Sequence, residues 1–185
     1  TLLNYQQRTL DAIQEHNKGC VYIPTGGGKT VVMKEDIKQR LLDATKPMTV
    51  VIVAPRILLA NQLCAEFEEY LGEFDIVYMH IHSGETHHVS STNPDVIVEQ
   101  NELANLFNKH HFIFTTYNSL GRINDAKISV DVVYFDEAHH CVKPSNFVGI
   151  AHTSKYADNA YFFTATPKFT NAEQSMNNTS VYGEK

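Results

Sequence analysis

The chain has 185 residues, of which 43% are hydrophobic and 19% charged, and its formal net charge is -6. At about 150 residues per domain, this length predicts one domain with a single core, and the composition excludes wholesale disorder. Such an acidic surface does not attract phosphate backbones generally. Any contact with nucleic acid must therefore be local and helped by backbone donors, a bound metal or another domain.

Cysteine usage and hydropathy indicate the compartment. Cys20, Cys64 and Cys141 are far apart and odd in number, so they cannot all pair within the chain. No apolar run approaches the ~18 residues of a membrane span, and the first residues lack the features of a signal peptide. We expect a soluble protein in a reduced, cytoplasmic setting.

Continuous apolar runs alternate with amphipathic stretches along the chain. The runs predict strands that are buried on both faces, at residues 20–23, 49–54, 75–80, 112–116, 130–135 and 160–164. Apolar residues recur at helical spacing between them, first at Met33, Ile37 and Leu41 and again after residue 58. This alternation predicts an α/β fold with a mostly parallel sheet and helices on both faces. The polar stretch 82–94 is predicted to be a long surface loop.

A glycine-rich segment lies between the first predicted strand and the first predicted helix. After Pro24 it consists of Thr25, Gly26, Gly27, Gly28, Lys29 and Thr30. Glycines let successive backbone N–H groups turn toward phosphate oxygens, and the helix adds its positive end. Lys29 would reach the β- and γ-phosphates of a nucleotide, and Thr30 would ligate Mg²⁺. The alternative is an ordinary glycine-rich turn.

An acidic segment ends the predicted strand 130–135. Asp136, Glu137, Ala138 and His139 follow it directly, at the position where ligands bind in open α/β sheets. Asp136 is suited to hold Mg²⁺, and Glu137 to polarise the water that attacks a γ-phosphate. The alternative is an acidic helix N-terminus, because Asp and Glu are favoured in a first turn.

A third segment, Thr164, Ala165, Thr166 and Pro167, ends the last predicted strand. Two hydroxyl groups at a strand end are suited to contact the acidic segment and couple it to the presence of phosphate. A plain Thr/Pro turn is the alternative.

Together these segments resemble motifs I, II and III of superfamily 2 helicases and translocases, with Ala54-Pro55-Arg56 and Thr115-Thr116-Tyr117 in the places of motifs Ia and Ic. The five segments occur in the family's order. The Ala-Pro-Arg and Asp-Glu-Ala-His sequences resemble the restriction-enzyme and DNA-repair branch. The resemblance implies a RecA-like domain that binds ATP and Mg²⁺ and hydrolyses ATP in the full-length protein.

The resemblance also implies roles for single residues. Gln6 occupies the place of the family's adenine-reading glutamine, and His139 that of a relay between the nucleotide and motif III. Thr164 and Thr166 would couple hydrolysis to movement. The segments at the ends of the strands 49–54 and 112–116 would bind the phosphate backbone of nucleic acid, with DNA favoured over RNA, through Arg56, Thr115, Thr116 and Tyr117.

The resemblance covers the first of the family's two RecA-like domains. We expect residues 1–168 to form this domain and 169–185 to be a polar connection toward a second RecA-like domain. Because a facing domain supplies an arginine in this family, the isolated chain should be nearly inactive as an ATPase. A nucleotide-dependent switch or assembly factor without translocation remains the alternative function.

Three histidine pairs, 87–88, 110–111 and 139–140, raise the question of a metal site. No cysteine stands at ligand spacing, so surface or capping histidines are favoured for these pairs, with His139 assigned separately by the resemblance.

Overall fold

The computed structural model describes residues 2–23, 28–82, 89–138, 153 and 156–164, with the backbone alone at 89 and 90. These residues form a series of helices and strands. In chain order they are α1 (Asn4–Glu15), β1 (Lys18–Tyr22), α2 (Lys29–Asp43), β2 (Thr49–Ala54), α3 (Ile57–Tyr70), β3 (Ile76–Ile81), β4 (Val89–Ser90), α4 (Pro94–Leu106), β5 (His110–Thr116), α5 (Leu120–Ala126), β6 (Val132–Phe135) and β7 (Asn159–Thr164). A short 3₁₀ helix (Tyr117–Ser119) joins β5 to α5.

The strands form one seven-stranded sheet in the order β1-β7-β6-β2-β5-β3-β4. Every neighbouring pair is parallel. The carboxyl ends of the strands therefore meet at one edge, which is where open α/β sheets bind ligands. The predicted α/β fold with a parallel sheet is confirmed.

Helices cover both faces of the sheet, because successive strand residues point to opposite sides and both sides are apolar. On one face, Ile13 of α1, Met33 and Ile37 of α2 and Phe67 of α3 pack against the sheet. On the other face the sheet packs against α4 and α5. Among the described residues, no helix combines the length and the apolar character that a membrane crossing requires.

The prediction of a surface loop over residues 82–94 is wrong at His82, at residues 89–90 and at Pro94. His82 is 2% exposed, and Val89 and Ser90 form β4, which pairs with β3. Residues 83–88 lie outside the described part of the chain. Helix α4 begins at Pro94 because proline is favoured at a first helical position, and the Asn93 side chain accepts a hydrogen bond of 3.0 Å from the N–H of Asp95.

The prediction of surface or capping histidines is wrong for His111, which is 1% exposed. Its strand, β5, lies inside the sheet between β2 and β3, and helices cover both faces of that sheet. Nδ1 of His111 lies 3.1 Å from Oδ1 of Asn101, while Nδ1 of His110 accepts a hydrogen bond from the N–H of Met48. The pairs 87–88 and 139–140 lie outside the described residues, within which no group of three potential metal ligands occurs.

A buried polar cluster joins α1, α2, β6 and β7. Asp36 of α2 is fully buried, accepts a hydrogen bond from the Tyr134 hydroxyl and pairs with Nε of Arg40 at 2.9 Å. Arg40 in turn donates to the Tyr161 hydroxyl at 2.7 Å. That hydroxyl contacts the carbonyl oxygens of Ile13 and His16 at the end of α1. The cluster fixes α1 against the helix that follows the glycine-rich segment.

Candidate nucleotide and nucleic-acid site

Five strand ends place the motif segments in a row along the carboxyl edge of the sheet. The glycine-rich segment follows β1, the Thr164 segment follows β7, and the acidic segment follows β6, and these three strands are neighbours. The Arg56 and Thr116 segments follow β2 and β5, which are the next two strands. The row therefore divides into a predicted nucleotide half and a predicted nucleic-acid half.

The glycine-rich segment ends in a conformation that favours glycine. Gly28 has φ +81°, in the left-handed region, and α2 begins at Lys29 with Thr30 in its first turn. The first N–H groups of a helix have no partners within the helix and bind anions well. Thr25, Gly26 and Gly27 lie outside the described residues.

Lys29 faces the acidic segment across the strand ends. Its Nζ lies 3.4 Å from Oδ1 of Asp136 and also forms an ion pair with Glu137. Asp136 is almost buried, with 8% of its side chain exposed, whereas the side chains of Lys29 and Glu137 are 22% and 30% exposed. The structure thus brings three of the four predicted catalytic residues together. The fourth, His139, lies outside the described residues.

The backbone of the acidic segment is held in an uncommon conformation. The N–H of Asp136 donates to the carbonyl oxygen of Val53 at 2.8 Å, which extends the contact between β6 and β2. Glu137 then has φ +50°, a left-handed value that is uncommon for a residue with a side chain. Strained backbone of this kind is frequent at functional sites.

Gln6 lies beside the glycine-rich segment and caps its own helix. Its Oε1 accepts a hydrogen bond of 3.0 Å from the N–H of Leu3, and the residue is 7% exposed. A Cβ atom added at Gly28 would lie 2.3 Å from Nε2 of Gln6. The side chain predicted to read adenine is therefore packed against the last glycine before α2.

The residues predicted to bind nucleic acid differ in exposure. Arg56 is exposed at the start of α3, while Thr115 is fully buried and donates to the carbonyl oxygen of Ile81 at 2.9 Å. Thr116 is 5% and Tyr117 6% exposed. The nucleic-acid role of all four stays a prediction, and the geometry favours Arg56, the one exposed residue of the four, over the buried Thr115 side chain.

Sequence reasoning missed a contact between the two halves of the row. The Tyr117 hydroxyl donates a hydrogen bond of 2.7 Å to the carbonyl oxygen of Asp136, and the Tyr117 ring stacks on Phe135. Phe135 stacks in turn on Phe162 of β7, with ring centroids 4.6 Å apart. A hydroxyl-bearing residue after an apolar strand is the only sequence signal for this contact, and it does not identify the acceptor.

The Thr164 segment is described only at its start. Thr164 is fully buried, and its carbonyl oxygen accepts a hydrogen bond of 3.2 Å from the N–H of Ile23, just before the glycine-rich segment. Thr166 lies outside the described residues. The coupling role of both threonines stays a prediction.

The parallel sheet, the helix that starts at the glycine-rich segment and the facing acidic segment define a RecA-like domain of the superfamily 2 helicase type. The chain belongs to the family described as "Type III restriction enzyme, res subunit", whose model matches residues 1–169. The predicted resemblance to superfamily 2 is confirmed. No curated protein sequence matches the chain.

Solved structures share this fold. The chain is 20% identical to the ATP-dependent Type ISP restriction-modification enzyme LlaBIII bound to DNA, with a TM-score of 0.82, and covers 100% of itself and 14% of that protein. It is 23% identical to a nuclease-deletion mutant of the Type ISP enzyme LlaGI in complex with a DNA substrate mimic, with a TM-score of 0.77, and covers 100% of itself and 19% of that protein. It is 22% identical to the Pyrococcus furiosus Hef helicase domain, with a TM-score of 0.65, and covers 97% of itself and 35% of that protein. At these identities the likeness shows the fold, and the chain spans about a third or less of each relative.

Proposed function

We propose that this chain is the ATP-binding motor domain of an ATP-dependent helicase or translocase, the first of two RecA-like domains. One observation carries the proposal. Lys29, at the start of the helix after the glycine-rich segment, faces the carboxylates of Asp136 and Glu137 at the carboxyl edge of the sheet. This edge of the sheet combines a cation, a helix N-terminus and two carboxylates, a combination that suits a bound nucleoside triphosphate with its metal.

Each described residue of the site has its own role in ATP hydrolysis. Lys29 binds the β- and γ-phosphates by charge-assisted hydrogen bonds, and Glu137 orients the attacking water. Thr30 and Asp136 offer the oxygen ligands that Mg²⁺ prefers, and Mg²⁺ would neutralise charge that develops on the phosphates. Gln6 reads the adenine base from its place beside Gly28.

Nucleic acid is the proposed partner, with DNA favoured over RNA. The two Type ISP relatives are described as bound to DNA or to a DNA mimic. In this chain, the proposed path crosses the ends of β2 and β5, next to the exposed Arg56. Contacts of this kind position a strand without reading its sequence.

Calorimetric titration with ADP and Mg²⁺ tests the nucleotide site. We expect Lys29→Ala to remove most of the binding, because the contacts to the phosphates are lost. Lys34→Ala, which removes a positive charge from the same helix, is the matched control and should bind ADP like the wild type. Equal affinity of wild type and Lys29→Ala would reduce the glycine-rich segment to a turn.

ATP hydrolysis tests the motor. The isolated chain should be nearly inactive, because an arginine from a facing domain contributes about 10³- to 10⁵-fold in related phosphoryl transfer. The longer protein that carries this domain should hydrolyse ATP faster when DNA or RNA is added. Hydrolysis that nucleic acid does not stimulate would instead support a nucleotide-dependent switch or assembly factor.

A further inference from the structure

Tyr117 is placed to act on the acidic segment. It follows Thr116 at the end of β5, whereas Asp136 follows β6, and β2 lies between these two strands. The side chain therefore reaches past one strand, and its hydroxyl donates a hydrogen bond of 2.7 Å to the carbonyl oxygen of Asp136. The Tyr117 side chain is buried, with 6% of its surface exposed.

The accepting carbonyl belongs to the peptide group that leads into Glu137. This peptide precedes a residue with φ +50°, so its orientation is costly to maintain without a partner. Asp136 is also fixed through its own N–H, which donates to Val53. The two hydrogen bonds hold the peptide groups on both sides of Asp136, the residue whose carboxylate lies 3.4 Å from Lys29.

Ring stacking fixes the Tyr117 side chain itself. Its ring lies over Phe135 with centroids 6.3 Å apart and an interplanar angle of 17°. Phe135 and Phe162 stack at 4.6 Å and 6°, which continues the row to β7. A side chain locked by packing holds its hydroxyl in one place, as a positioning group requires.

We propose that Tyr117 is a positioning residue whose hydroxyl orients the Asp136–Glu137 peptide so that the Asp136 carboxylate can hold Mg²⁺ beside a bound nucleotide. The proposal rests on the proposed nucleotide site and assigns to Tyr117 a role other than direct contact with nucleic acid. Since Tyr117 follows Thr116 directly, it also joins the predicted nucleic-acid half of the row to the nucleotide half.

The test compares nucleotide affinity with and without Mg²⁺. A fluorescent ADP analogue is titrated with wild type and Tyr117→Phe, once in Mg²⁺ and once in EDTA. We expect Tyr117→Phe to weaken binding in Mg²⁺ by about 2- to 10-fold, the net worth of one hydrogen bond, and to leave binding in EDTA unchanged. A purely structural loss would weaken both equally.

Tyr134→Phe is the matched control, because it also removes a buried hydroxyl that donates to an aspartate, although to the carboxylate of Asp36 rather than to the backbone carbonyl oxygen of Asp136. It should leave the ratio of the two affinities unchanged. Amide hydrogen exchange gives a second readout that needs no ligand: the N–H of Glu137 should exchange faster in Tyr117→Phe than in Tyr134→Phe.

The outcomes separate the two proposals. If the wild type does not bind the analogue in Mg²⁺, the nucleotide site is wrong and the role of Tyr117 is wrong with it. If the wild type binds and Tyr117→Phe keeps the wild-type ratio of affinities, the nucleotide site stands and the positioning role is overturned. Unchanged exchange at Glu137 also overturns it, whether or not the variant is less stable.

Discussion

Nζ of Lys29 lies 3.4 Å from Oδ1 of Asp136, although the two residues follow different strands and belong to distant parts of the sequence. The same ammonium group pairs with Glu137. Lys29 therefore has two classes of anionic partner, the carboxylates of the acidic segment and, under the proposed function, nucleotide phosphates. The two classes compete for one cation.

This competition predicts the effect of Glu137→Gln on nucleotide binding. Removing one carboxylate frees Lys29 for phosphate, so affinity for ADP should rise by up to about 5-fold, since a part-exposed ion pair is worth about 0.2–1 kcal/mol. Calorimetric titration measures it. Glu35→Gln on the same helix as Lys29 is the control and should not change the affinity. Weaker binding by Glu137→Gln would show that the carboxylate supports the nucleotide.

Gly28→Ala should destabilise the chain and disturb Gln6. The backbone at φ +81° disfavours any side chain, and the new Cβ would lie 2.3 Å from Nε2 of Gln6. We expect a loss of about 1–3 kcal/mol in the free energy of unfolding, measured in urea.

Gly121→Ala is the matched control, because nothing lies within 4 Å of its added Cβ and the residue is helical. It should leave stability unchanged or raise it by up to about 1 kcal/mol. Equal stability of the two variants would contradict the left-handed conformation of Gly28.

The fold was predictable because buried parallel strands are continuous apolar runs, and these runs located six of the seven described strands. The two-residue strand β4 was not predictable, since Val89 and Ser90 are too short to form an apolar run or an alternation of apolar and polar residues. The order of the strands, which brings Lys29 to Asp136, is a property of the whole chain. The hydrogen bond from Tyr117 to the Asp136 carbonyl likewise depends on a crossing past β2 that no local pattern encodes.

The polar cluster around Asp36 should be important for stability. Burial raises the pKa of Tyr134 well above its ordinary value, so its hydroxyl stays protonated and donates to Asp36. Asp36→Ala leaves Arg40 without its carboxylate, and we expect a loss of about 3–5 kcal/mol in unfolding free energy. Tyr134→Phe should cost about 1.5–3 kcal/mol, as for a hydrogen bond to a charged group.

The double variant checks that the two changes share one interaction. Its loss of unfolding free energy, measured in urea, should be smaller than the sum of the losses in the two single variants, because residues in contact are coupled. Lys38→Ala, at a surface ion pair with Glu73, is the control and should cost at most about 1 kcal/mol. Additive losses would mean that Tyr134 and Asp36 act independently.

Stability should fall in mildly acidic solution through His111. Burial lowers the pKa of His111 from 6.5 to about 4, so the folded chain keeps this imidazole neutral while the unfolded chain takes up a proton. The contribution of the neutral His111 to the free energy of unfolding is full above pH 6.5 and is lost as the pH falls toward 4. At 1.36 kcal/mol per pKa unit, it amounts to about 3 kcal/mol. Urea unfolding across this range measures it.

His111→Gln removes the titrating group and should flatten the pH dependence of stability between 6.5 and 4. His82 and His110, whose pKa values burial also lowers, leave a smaller slope in that variant. A wild-type slope in His111→Gln would mean that this side chain takes up a proton as readily in the folded chain as in the unfolded chain.

The chain alone should bind nucleic acid weakly. Its net charge is -6, and Arg56 is the one cation among the four residues nominated for backbone contact. Few phosphates are then neutralised, so the logarithm of affinity should fall shallowly with the logarithm of salt, by ~0.7 per phosphate contact on a single strand. Fluorescence anisotropy of labelled single strands over a salt series measures both affinity and slope.

Thr116→Ala should weaken this binding by about 2- to 5-fold without changing the preference among sequences, because contacts with the phosphate backbone position a strand but do not specify it. Thr9→Ala, which removes a hydroxyl from α1, is the control and should bind like the wild type. Saturation at micromolar protein or a slope that requires many ion contacts would reveal a basic surface stronger than Arg56 provides. Equal loss in both threonine variants would remove the end of β5 from the proposed path of the strand.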